Sequence, residues 1–190
     1  DPLDRPRMWQ RLIAIHDDPT GHEHDDFESQ SLHPLSGFKV DSGGRHLPVV
    51  ALGAAAALVT TTEEAASVER RLLPLVTDPS PDHQRERFAA RVIEELGHER
   101  VSHLDVYANH SSAWIRLASL ACWSANEDRD PNAALRYASD HDPRVRREIA
   151  RLLSQGFAEH TEYGDARALL AGDPRHTVRA CQGGDSPITP

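Results

Sequence analysis

The residues best equipped for chemistry fall in two stretches. Between Asp17 and Glu28 stand six acids and no base, with His22 and His24 among them and His16 and His33 just outside. Carboxylate oxygens and imidazole nitrogens at this density are the ligands that zinc, manganese or iron take, so His22 and His24 are candidate metal ligands. The simpler reading is a solvated acidic loop, because ordering such a segment around an ion costs conformational entropy. In the second stretch Arg144, Arg146, Arg147 and Arg151 follow Asp142, with Arg175 and Arg179 beyond. Guanidinium groups aligned in a stripe would contact phosphates. Residues 101–190 nevertheless hold 10 bases and 12 acids, so most of these charges can be paired within the chain.

Other constellations are weaker. His98-Glu99 with His103 resembles a zinc-protease helix, but the two histidines are five residues apart where one helical turn requires four. No Gly-rich phosphate loop or nucleophile elbow is present, and no catalytic residue is assigned. Tyr107, Trp114 and Trp123 surround Arg116, and aromatic residues beside arginine favour binding hot spots. Trp114 shares a helical face with Leu117, Leu120 and Ala121 and is read as packing, whereas Trp123 is read as a surface residue. Tyr107, Trp123, Tyr137, Arg144 and Arg147 are the candidate partner-binding residues, and no cofactor is expected.

These side chains must be carried by helices. Aromatic residues make up 5% of the 190-residue chain, so a core has to come from Ala, Leu, Val and Ile, a composition that suits helices. The longest apolar run, Leu47 to Val59, is too short for a membrane span and reads as a buried core helix. Cys122 and Cys181 have no partner spacing for a zinc knuckle or a disulfide framework, which makes a reducing cytoplasm the expected compartment. The chain opens at Asp1 with neither Met nor a charged-then-apolar leader, which implies trimming by processing or by design. The expected organisation is an N-terminal helix over 1–18, an acidic His-rich loop over 19–45, a repeat domain over 46–182 and a tail over 183–190. Thr61 with Glu64 predicts a capping box, and Asp130-Pro131, Asp142-Pro143 and Asp173-Pro174 each predict a helix start.

Periodicity organises the repeat domain. Gln84-Arg85, Ile115-Arg116, Val145-Arg146 and Val178-Arg179 recur with arginine steps of 31, 30 and 33 residues, and Leu73, Leu104 and Leu135 form a second column at steps of 31. Each unit reads as a first helix carrying the Leu, a short turn, and a second helix starting near the Arg. Such a pair must stack on its neighbours to bury its faces.

The stretch Asp142-Pro143-Arg144-Val145-Arg146-Arg147-Glu148-Ile149-Ala150-Arg151-Leu152-Leu153 resembles the second helix of the HEAT-repeat family. Asp173-Pro174-Arg175-His176-Thr177-Val178-Arg179-Ala180 matches with a two-residue insertion, and the likeness covers roughly residues 62–182. The resemblance implies an all-α fold: a short right-handed α-solenoid of about four HEAT-like helix pairs with an extra N-terminal helix. It also implies pairing of the repeated Arg with an Asp of its own or a neighbouring unit, for which Asp142 and Asp173 are placed. The His-Glu pairs do not fall on the positions that the HEAT-like deoxyhypusine hydroxylases use for iron.

The scaffold serves many roles. The expected one is a non-enzymatic scaffold that binds a protein or peptide. With a formal net charge of -9 the partner is expected to be basic, and nucleic acid and acidic membranes are disfavoured. The alternatives are a nucleic-acid binder similar to the HEAT-like alkylpurine DNA glycosylases and a metal-dependent enzyme on the same scaffold.

Overall fold

A computed structural model describes residues 4–21, 47–78, 82–97 and 99–181; His22, His24, His98 and the 183–190 tail lie outside them. The described residues are all-helical, with no strand among them. The chain divides into two compact units, residues 1–104 and 105–190, a boundary inside the stretch 46–182.

The first unit is built on α2, Leu47–Ala57. Its residues are apolar on every side, so it can only be stable when surrounded, and nine of its eleven residues are buried. Against it pack α1, Arg5–Asp17, α3, Thr62–Thr77, and α4, His83–Leu96. Leu12, Ile13 and Ile15 of α1 are buried, and Met8 and Trp9 are half-buried. Two forked ion pairs fix α1 on α3. Arg5 donates to both carboxylate oxygens of Glu64, at 2.8 and 3.2 Å, and also to the carbonyl of Leu58. Arg71 donates to both oxygens of Asp17 at 2.8 Å.

The predicted cap at Thr61 is present: its hydroxyl accepts from the Glu64 amide at 3.2 Å. The return bond is shifted by one residue, because the Glu64 carboxylate takes the amide of Thr60 at 2.9 Å. Helix α4 begins at Asp82, whose carboxylate accepts from the amides of Gln84 and Arg85. It ends at Gly97 with φ +70, a backbone conformation that a side chain would strain.

The second unit consists of three helix pairs. These are α5, Leu104–Ala108, with α6, Ala113–Ala125; α7, Pro131–Ala138, with α8, Pro143–Gln155; and α9, Gly164–Ala171, with α10, His176–Arg179. The Asp-Pro signals at Asp130 and Asp142 start α7 and α8, each carboxylate accepting an amide of the first turn. The third signal does not start its helix at Pro174: the Asp173 carboxylate accepts the amide of Arg175, but α10 begins at His176. In the apolar-Arg column Ile115, Val145 and Val178 are buried, and they centre the core of the unit. The Leu column is not core: Leu73 and Leu104 are half-buried and Leu135 is 39% exposed.

Candidate functional site

The repeated arginines are structural clamps. Arg116 lies in the interior, 3% exposed, and its guanidinium uses every edge. One nitrogen donates to the carbonyls of His110 and Ser111, both at 2.7 Å, and the other two fork onto Asp140 at 2.7 and 2.9 Å. Arg146 repeats the pattern, donating to the carbonyls of Asp140 and His141 and forking onto Asp173 at 2.5 and 3.4 Å. Arg179 donates to the carbonyl of Asp173. In all three the carbonyl lies six residues back, in the turn between the helices of one pair. For Arg116 and Arg146 the carboxylate comes from the next pair along the chain. That carboxylate also closes its own turn: Asp140 accepts from the amide of Asp142 and Asp173 from that of Arg175, both at 2.7 Å.

The pairing predicted for Asp142 is therefore corrected. Asp142 caps α8 and forks with Arg144, which lowers its carboxyl to about 2, and Asp140 is the acid that receives the preceding arginine. For Asp173 the pairing holds, and the Arg146 guanidinium keeps its carboxyl below the ordinary carboxylate range. Arg85, the least regular member of the column, pairs with Asp78 at 2.9 Å.

Three of the five predicted docking residues lie in the interior. Tyr107 is fully enclosed. Trp123 is 3% exposed, which corrects its reading as a surface residue. Its ring meets those of Tyr137, Phe157 and Tyr163 at 5.8–6.2 Å, and its indole N–H donates to the carbonyl of Asp130. Tyr137 is equally buried, its hydroxyl 2.9 Å from that of Ser119, and burial raises its pKa. Trp123 and its neighbours thus form an aromatic core, with the Arg129 guanidinium 4.4 Å from the Phe157 ring centre. Among the described residues no three His, Cys, Asp or Glu side chains are grouped to hold a metal ion.

Arg144 and Arg147 are at the surface. The guanidinium of Arg144 lies 5.2 Å from the ring centre of half-buried Trp114, within cation–π range, and 2.9 Å from Asp142. Arg151 follows on the same side of α8, forked with Glu148 and bonded to Gln155. Sequence reasoning missed Glu69. This buried carboxylate accepts from the amides of Ser102 and His103 at 2.9–3.1 Å and lies 3.2 Å from the His103 imidazole.

The described chain is thus an all-helical protein of two compact units, the second made of clamped helix pairs. No helix among the described residues is long and apolar enough to cross a membrane. No family model, curated protein or solved structure matches the chain.

Proposed function

We propose that this protein is a non-enzymatic interaction module, a short HEAT-like solenoid that binds a protein or peptide partner. The observation that supports it is the recurrence of the arginine clamp. The same bond, from the arginine to the carbonyl six residues back, closes three successive turns, which fits a stack of second helices that share an outer surface. The buried charge of the clamps is spent within the fold, which leaves the exposed arginines of α8 for a partner.

The test is a tagged pull-down from a lysate of the source organism, half of it treated with nuclease. A discrete protein recovered in stoichiometric amount from both halves is the expected result. Nucleic acid in the untreated half, or proteins that vanish with nuclease, would replace this reading with a nucleic-acid binder.

A further inference from the structure

The charge of the second unit is sorted by element. Helices α6, α8 and α10 with the turns that enter them carry seven arginines and four acids, and α5 from Asp105 on, with α7 and α9 and the loops that enter those two, carries three arginines and seven acids. The -9 of the whole chain therefore misdescribes one face. At physiological salt a charge acts over about 8 Å, so a ligand touching α8 is governed by the charges of that helix and its entering turn, four arginines against Asp140, Asp142 and Glu148.

On α8 the spacing is regular. Arg144, Arg147 and Arg151 stand at i, i+3 and i+7, which places them in one row, and all three are exposed. Arg144 to Arg151 spans roughly 10 Å along the axis at 1.5 Å per residue. Its two steps along the axis, of three and four residues, are roughly 4.5 and 6 Å. Arg144 is already ordered by the Trp114 ring and Asp142, and Arg151 by Glu148 and Gln155. Arg147 makes no ion pair with the described residues and is the charge that remains to be met.

We infer that the outer side of α8, bordered by Trp114 and by α10, docks an acidic peptide segment of a protein partner, a carboxylate of which forks onto Arg147 between the paired Arg144 and Arg151. This rests on the interaction-module reading and reverses the sign of charge expected for the partner. Guanidinium groups suit carboxylates because two parallel N–H donors match two oxygens. A short acidic segment fits better than nucleic acid, whose long row of phosphates would run beyond the arginines toward a chain of net negative charge.

The test titrates the full chain with a labelled twelve-residue peptide of alternating Glu and Gly, its Gln counterpart, and a single-stranded oligonucleotide of equal charge, read by fluorescence anisotropy. The Glu peptide is expected to bind and the Gln peptide not. Arg147→Glu should weaken binding about tenfold and Arg147→Gln by less. Arg7→Glu on α1, equally exposed and remote in sequence, should leave it unchanged. Circular dichroism and melting confirm that each variant is folded. Equal binding of the Glu and Gln peptides, or an Arg147→Glu variant as tight as the parent, overturns the proposal; an oligonucleotide that binds tighter than the Glu peptide overturns it in favour of nucleic acid. If a protein captured from lysate is captured equally by Arg147→Glu, the interaction-module reading stands and this face falls.

Discussion

Replacing Arg116 by alanine tests whether the clamp holds the second unit together. The substitution removes the fork to Asp140 and two bonds to turn carbonyls. It also leaves Asp140, whose side chain is 7% exposed, as a buried carboxylate without its cation. Breaking a buried ion pair from one side costs about 3–5 kcal/mol, most of it the penalty for the charge left behind. A domain of this size has a stability of roughly 5–10 kcal/mol and a urea slope of about 1 kcal/mol per molar, so the unfolding midpoint should fall by roughly 3–5 M. Trp114 and Trp123 lie in the second unit and Trp9 in the first, so tryptophan fluorescence beside far-UV circular dichroism separates the two transitions. The paired change Arg116→Met with Asp140→Leu removes both charges and should recover more than half of the loss. A midpoint shift below about 0.5 M for Arg116→Ala, or a double variant no more stable than the single one, would refute the reasoning.

Two further outcomes follow from the first unit and from the carboxylates. Glu69→Ala should lower the stability of the first unit by about 2 kcal/mol, seen as an earlier urea midpoint by circular dichroism, because two amides lose their acceptor. Acid should destabilise the chain. Arg5 holds the Glu64 carboxyl at about 2 in place of 4.5, and Asp17, Asp142 and Asp173 are likewise lowered by Arg71, Arg144 and Arg146. Depressed carboxyls add stability above their unfolded values and lose it as pH falls toward their folded ones. Thermal midpoints should therefore be flat above about pH 5 and drop steadily down to pH 2; a flat profile there would contradict these pairings.

Helix positions were legible where the signal was local. Asp130-Pro131 and Asp142-Pro143 start helices because the carboxylate reaches amides two residues on, a geometry that depends on nothing distant. At Asp173-Pro174 the same bond forms, to the amide of Arg175 at 2.7 Å, yet the helix begins only at His176, so the local signal does not by itself fix the first turn. The Leu column gave the right period on the wrong side: Leu135 is exposed while Ala134 and Tyr137 beside it are buried. Trp123 was misread because α6 is apolar over most of its circumference, so its own periodicity does not tell inside from outside. Its burial comes from Phe157, in the loop after α8, and Tyr163, in the helical turn that enters α9, both far along the chain. Glu69 left no trace because its partners are backbone amides, which every residue has. The basic row on α8 was visible as residues, but total charge averaged it against acids elsewhere.

Each clamp in the second unit also gives the chain a direction. An arginine contributed by one helix pair is completed by an aspartate belonging to the pair that follows: Arg116 by Asp140, Arg146 by Asp173. The middle pair, α7 with α8, therefore carries both a plug for its successor and a socket for its predecessor. A chain shortened after α8 would strand Arg146 without Asp173, whereas one lengthened by copying a whole period in register would keep every plug filled. Internal copies of a whole period keep these pairings, whereas removal of even a complete pair from the end of the second unit leaves the preceding arginine without its carboxylate.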